Sequence, residues 1–245
     1  MATPTRFTSG FTQDAKYQPL GLIGIPDPFF YATLEDDFLP FQSDKYTETA
    51  AGGSIAQTTT NGTGGRVLLT TGAVATNFAS LQGEAAGFNY VAGKRFAFLA
   101  RIRLADILNS TVIVGLIQTT VTPFTVTDGI YFSKAAAGTS LVLTAMTGSV
   151  VVGSATITGA LTAATDIDLG FVVDPQGNVK GFYGSNLIGF QNQNTAILGP
   201  NVGILASALT GALTTAMLTP TLAVQASTAA AQTLVSDFLF AAQER

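Results

Sequence analysis

Acidic side chains are the residues of this sequence whose types and spacing come closest to supporting chemistry. Asp166 and Asp168 are two positions apart, so they would share one face of a strand. Glycoside cleavage needs two carboxyl groups about 5–10 Å apart, one as acid and one as nucleophile or base. No glutamate lies near this pair, and the consecutive residues 35–37 would alternate between faces. We therefore expect no catalytic residues and no enzyme.

Other acidic residues could hold Ca²⁺, which prefers carboxylate, amide and carbonyl oxygens in loops. The candidates are Asp128, before a glycine, and Asp174 with Asn178. Both lie in turn-forming sequences, and turn chemistry explains them without a metal. We expect no cofactor. A lectin sugar site commonly stacks its ligand on an aromatic side chain, and the chain has no tryptophan. Tyr90, Tyr131 and Tyr183 could serve, but packing in the core or on a sheet also explains them.

The missing residue types exclude whole classes of function. The 245 residues contain no histidine and no cysteine, which removes histidine-based triads, thiolate nucleophiles and the usual zinc ligands. Charged residues make up 11%, against about 25% in ordinary domains. The formal net charge is −4. A duplex-binding protein needs several basic side chains facing phosphates, so nucleic acid is not an expected partner.

Three arginines form the most regular charged pattern. Arg95, Arg101 and Arg103 fall on one face of the alternating segment 95–104, and Phe96 and Phe98 fall on the other. The pattern predicts a strand with one buried face. The arginine face is either ordinarily solvated or forms ion pairs with an acidic surface of a partner or of a neighbouring subunit.

Short strands separated by glycine, serine and threonine recur from residue 34 onward. We predict strands at 37–39, 65–71, 95–104, 111–118, 129–133, 141–146, 150–157, 166–174, 178–183, 222–226 and 233–240. Residues 174–178, Asp-Pro-Gln-Gly-Asn, predict a hairpin turn. This pattern is typical of an all-β, antiparallel two-sheet sandwich of the jelly-roll class.

The beginning of the chain differs from the rest. Residues 1–33 carry four prolines and a small set of aromatic residues. We predict an extended arm over 1–33 and a single sandwich domain over 34–245. The arm either docks on a neighbouring subunit or is a disordered tail. Its candidate anchors are Phe7, Phe11, Phe29 and Phe30.

An uncharged apolar stretch covers residues 196–220. It belongs either to the core or to a subunit interface, since so much apolar surface would be a liability on a monomer. Its candidate interface residues are Leu205, Leu209, Leu213 and Met217. Its most membrane-like part, residues 202–218, is slightly short for a membrane span, rich in threonine and glycine, and without basic flanks. A membrane is therefore not an expected partner.

The order of several segments resembles a known class of virion proteins. The segments are DDF, KRFAFLARIRLAD, VGLIQTT, TDGIYFSK, DIDLGFVVDPQGNVKGFYGSNLIG, LTPTLAVQAS and TLVSDFLFAAQER. They resemble capsid decoration (cement) proteins of tailed bacteriophages, with a concanavalin A-like, laminin-G-like sandwich. The resemblance covers roughly residues 34–245; the longer arm and the expanded 196–220 stretch depart from it.

The resemblance implies a structural protein made in the host cytoplasm and placed on the outside of the capsid, often as a homotrimer. It would bind the major capsid protein and reinforce joints between capsid subunits. The alternative that the sequence leaves open is a carbohydrate-binding, lectin-like module on a virion tail, fibre or head.

Overall fold

The computed structural model describes residues 31–39, 41–58, 65–84, 86–183, 186–190, 202–205 and 211–245, with only the backbone described at 57–58, 186–190 and 202–205. These residues form sixteen strands and one short 3-10 turn, Ser43–Lys45. The strands are β1 (Tyr31–Asp36), β2 (Tyr46–Ala51), β3 (Ser54–Thr58), β4 (Arg66–Thr70), β5 (Phe78–Gly83), β6 (Phe96–Leu104), β7 (Ser110–Ile117), β8 (Gly129–Lys134), β9 (Leu141–Thr147), β10 (Val150–Ile157), β11 (Asp166–Val173), β12 (Val179–Tyr183), β13 (Asn186–Phe190), β14 (Val202–Leu205), β15 (Thr219–Ala226) and β16 (Thr233–Glu244).

The strands form two sheets. The nine-stranded sheet has the order β14-β13-β12-β11-β6-β16-β4-β3, and β1 also pairs with β16. The seven-stranded sheet has the order β10-β9-β8-β7-β15-β5-β2. Of the described pairs, β13 with β14 is parallel and the others are antiparallel. The predicted all-β antiparallel two-sheet jelly-roll sandwich is confirmed.

Strand β6 shows how the alternation builds the core. Phe96, Phe98 and Ile102 are each 1% exposed and belong to the main core between the sheets, whereas Arg101 on the opposite face is exposed. Residues from both sheets join this core, including Val112 and Val114 of β7. The prediction of which β6 side chains face the core is therefore confirmed. Strand β7 lies in the middle of its sheet, as its apolar sequence indicates.

The predicted hairpin at 174–178 joins β11 to β12. Gly177 has a φ of 83°, a left-handed value that favours glycine. The Asp174 carboxylate accepts hydrogen bonds from the amides of Gln176 (3.0 Å) and Asn178 (2.9 Å). Local turn chemistry is therefore sufficient to form this connection.

The predicted strand at 37–39 is wrong, because the strand ends at Asp36. The Asp36 carboxylate accepts hydrogen bonds from the Phe38 amide (2.7 Å) and the Tyr46 hydroxyl (2.9 Å). Phe38 takes a left-handed φ of 54° and is fully buried. The buried carboxylate turns the chain at the point where the apolar sequence suggested a strand.

The predicted arm falls mainly on residues 1–30, which lie outside the described residues, as do Phe7, Phe11, Phe29 and Phe30. Residues 31–33 belong to β1, paired with the end of β16. The division into an arm and a single domain stays a prediction. Within the described ranges, no helix is long and apolar enough to cross a membrane.

Candidate functional site

A network of ion pairs lies on the outer face of the nine-stranded sheet. The Arg101 guanidinium bonds both oxygens of Asp168, at 2.7 and 3.1 Å. Asp237 lies between Arg101 (3.7 Å) and Arg66 (3.6 Å), and Arg66 also contacts Asp166 at 3.3 Å. These side-chain contacts run across four neighbouring strands, β11, β6, β16 and β4.

The carboxylate pair considered for glycoside cleavage belongs to this network. Asp166 and Asp168 share the outer face of β11, as predicted, and lie opposite Arg103 and Arg101 of β6. Each carboxylate is the ion-pair partner of an arginine. The acid in glycoside cleavage must carry a proton, so this arrangement suits a structural role.

The three predicted arginines have different surroundings. The bidentate bond with Asp168 is the main reason that the pKa of Arg101 is raised, and Arg101 is therefore engaged within its own sheet. The backbone amide of Arg95 bonds the Glu244 carboxylate at 3.1 Å, and its guanidinium lies beside the Tyr31 hydroxyl. The role of Arg95, Arg101 and Arg103 in binding a partner stays a prediction.

The middle of the outer face of the seven-stranded sheet is apolar and covered by the chain itself. The loop 118–128 crosses it, and Phe124 packs edge-on against Phe78 with ring centroids 6.1 Å apart. Gln82, which is 1% exposed, accepts a hydrogen bond from the Thr120 amide (3.1 Å) and donates one to the Thr221 hydroxyl (2.9 Å). This glutamine therefore joins the loop to the sheet.

The far end of this loop is held by Asp128, one of the two calcium candidates. Its Oδ1 accepts hydrogen bonds from the Thr214 hydroxyl (2.7 Å) and the Gly148 amide (3.1 Å). Burial opposes ionisation of this carboxyl, but the bonds from Thr214, Gly148 and Thr127 outweigh it and lower the pKa of Asp128.

The carboxylate of the second calcium candidate, Asp174, likewise accepts hydrogen bonds from residues of its own turn. Besides the two backbone amides, it accepts the Asn178 side-chain amide at 2.8 Å and contacts Lys180 at 3.5 Å. In the part of the chain that the structure describes, no cluster of three or more acidic side chains could hold a metal ion.

The apolar stretch 196–220 is only partly described. Leu205 ends strand β14, and Leu209 lies outside the described residues. Leu213 is 5% exposed and joins the main core, so it does not lie on a surface that a partner could contact. Met217 is 48% exposed and remains a candidate contact residue.

A buried lysine is the feature that the sequence analysis missed. Lys134 is fully buried, and its ammonium donates hydrogen bonds to the carbonyls of Ser110 (2.5 Å) and Ala135 (3.1 Å). Burial lowers the pKa of Lys134 to about 8, although the charge of Asp106 acts in the opposite direction. The alternation of side chains along a strand could have indicated this burial, because it places Lys134 on the same face as Ile130 and Phe132.

Sequence comparisons with known proteins find no match: no protein-family model matches the chain, and no curated protein does. Solved structures do match. The carbohydrate recognition domain of Emp47p has a TM-score of 0.58 at 10% identity, covering 89% of this chain and 98% of that one. An endo-1,3-beta-glucanase from Streptomyces sioyaensis has a TM-score of 0.56 at 9% identity, covering 89% and 98%. Peanut lectin has a TM-score of 0.52 at 8% identity, covering 87% of this chain and 97% of that one.

The fold is a concanavalin A-like jelly-roll sandwich. At these identities the likeness extends to the fold alone. Both lectin-type domains and a glucanase share it, so the fold does not decide between binding and catalysis.

Proposed function

We propose that this chain is a virion structural protein, a capsid decoration protein that binds the outer capsid surface and reinforces joints between major capsid protein subunits. The observation that carries the proposal is that several of its ionisable groups make structural contacts within the sandwich. Asp36, Asp128, Asp168 and Lys134 all hold the sandwich together through hydrogen bonds or ion pairs. None of these four is arranged to bind or transform a small substrate.

The sandwich also offers surfaces that suit contacts with other proteins. Within the described residues, β2 and β3 each lie at the edge of a sheet. Edge strands carry unpaired backbone groups that can accept a strand from a partner. A homotrimer on the capsid exterior would multiply weak contacts of this kind by raising their effective concentration.

Quantitative mass spectrometry of virions purified from the source lysate tests the proposal. The copy number of this chain is compared with that of the major capsid protein. Decoration predicts hundreds of copies in a simple ratio to the capsid protein. A few copies per virion would assign the chain to a tail or fibre, and its absence would overturn a virion role.

Arg95, next to β6, and the two arginines within β6 give a sharper test of attachment. The double variant Arg95→Gln/Arg103→Gln should weaken binding to undecorated capsids, because both lose a charge that could meet an acidic surface. The matched variant Arg101→Gln should leave binding nearly unchanged, since Arg101 is already paired with Asp168. Equal affinity of the double variant and the natural chain would remove the arginines from the proposed contact.

Carbohydrate binding is the second candidate, favoured by the likeness to the Emp47p carbohydrate recognition domain and peanut lectin. The loop 118–128 packs on the outer face of the seven-stranded sheet and occupies the surface that a sugar would need there. This argues against a sugar-binding site on that face. Retention on a glycan array would support this candidate. Failure to bind any glycan, with and without Ca²⁺, would remove it.

A further inference from the structure

A second apolar cluster lies on the outer face of the nine-stranded sheet, away from the main core. Its buried members are Ala97, Val172, Phe182, Phe240 and Ala242. Side chains on a sheet stand roughly perpendicular to it, so an outer phenylalanine stays exposed unless something lies over it. Phe182 and Phe240 are only 5% and 4% exposed. This outer cluster therefore behaves as a covered surface.

The register places the outer cluster in a band of two neighbouring rows, one of which contains Ala242, Ala97 and Val172. Phe240, Leu99, Gly170 and Phe182 lie in one row across β16, β6, β11 and β12. Leu99 extends over Gly170, where an added Cβ would meet Leu99 Cδ1 at 2.4 Å. Four strands span about 15 Å, so an extended segment of about five residues would cross the row.

Charged residues border the band on both sides. Next to Phe240 and Leu99 lies the row of Phe238, Arg101 and Asp168, which contains the bidentate ion pair. On the other side, Lys180 pairs with Val172 one row away, and Glu244 lies beside the Arg95 backbone two rows away. Glu35 lies opposite Phe240 at the end of the row itself. These borders favour a narrow, mostly apolar occupant whose charges lie at its margin, since a charged side chain inside the band would lose its water without gaining a partner.

We propose that the outer cluster is the docking site of the chain's own N-terminal segment, residues 19–30. That segment reads PLGLIGIPDPFF, in which eleven residues are uncharged and the one ionisable residue is Asp27. It leads directly into Tyr31, whose ring packs against the cluster. The connection is therefore short enough for the same chain to supply the cover.

The prolines of this segment fit the position. The hydrogen-bonding groups of a sheet lie in its plane, so a segment lying on its face finds no backbone partners there. Each backbone donor that is covered without a partner costs free energy. Three of the twelve residues from 19 to 30 are proline, which has no amide proton to leave unpaired.

Photo-cross-linking in the full chain tests this docking, and the absence of natural cysteine makes the labelling specific. Ile25→Cys carrying a benzophenone maleimide should cross-link to peptides from β6, β11, β12 or β16. The same label at Val121→Cys, on the loop over the other sheet, should not. Cross-links from Ile25→Cys to the seven-stranded sheet, or none within the chain, would overturn the proposal.

An equal mixture of ¹⁵N-labelled and unlabelled protein distinguishes own-chain docking from exchange between copies. Own-chain docking predicts cross-links only between peptides of the same isotope, and mixed pairs would overturn it. Leu99→Asp places a charge in the middle of the row without entering the core. It should abolish the outer-face cross-links while the chain remains folded, and unchanged cross-linking would contradict the assignment.

Discussion

Replacing Lys134 with methionine should change the pH dependence of stability. Burial lowers the pKa of Lys134 from 10.5 to about 8. One unit of pKa difference corresponds to about 1.4 kcal/mol, so keeping this lysine charged in the fold costs about 3 kcal/mol at pH 7. Methionine keeps the buried stem but leaves the carbonyls of Ser110 and Ala135 without their donor, at about 1–3 kcal/mol.

The sign follows from proton binding. Between pH 8 and 10.5 the unfolded chain binds the proton that folded Lys134 releases, so the natural protein gains stability as the pH rises. At pH 7 the two effects of Lys134→Met nearly cancel. By pH 10 the loss of hydrogen bonds dominates, and the variant should be less stable than the natural protein by roughly 2–3 kcal/mol more than at pH 7.

Urea unfolding at pH 7, 8, 9 and 10 measures this difference. Tyrosine titration occurs in both proteins and cancels in the comparison. Lys45→Met, at an exposed lysine of the 3-10 turn, is the matched control and should show a flat difference. A difference for Lys134→Met that does not change with pH would refute the argument that burial destabilises the charged form.

Three further substitutions test the contacts that shape the sandwich. Gly65→Ala should lower the melting temperature strongly, because the added Cβ would lie 1.8 Å from a backbone carbonyl oxygen, whereas Gly138→Ala, whose nearest atom is at 3.6 Å, should be nearly neutral. Tyr46→Phe removes a buried 2.9 Å hydrogen bond to Asp36 and should cost about 1–3 kcal/mol in urea unfolding; full stability would show that the carboxylate finds another partner. Gln82→Met should release the loop 118–128 and speed its cleavage by limited proteolysis, while an unchanged cleavage rate would mean that aromatic packing alone holds it.

Local features of the fold could be predicted from the sequence because they depend on neighbours along the chain. The alternation in 95–104 determined which side chains of β6 face the core. The sequence 174–178 determined its turn, since the carboxylate, the proline and the glycine act within five residues. The turn at Phe38 was missed because one of the two groups bonded to Asp36, the Tyr46 hydroxyl, comes ten residues later.

The character of the candidate surfaces was decided by the tertiary structure alone. The sequence placed Arg101 on a polar face, but its partner Asp168 is 67 residues away and becomes a neighbour only when β6 pairs with β11. The same holds for the loop that Gln82 fixes over one sheet and for the burial of Lys134. Composition determined which chemistry is excluded, because absent histidine and cysteine cannot be supplied by folding. Which of the remaining charges are free to meet a partner depends on strand order, which brings distant residues together and which local pattern does not encode.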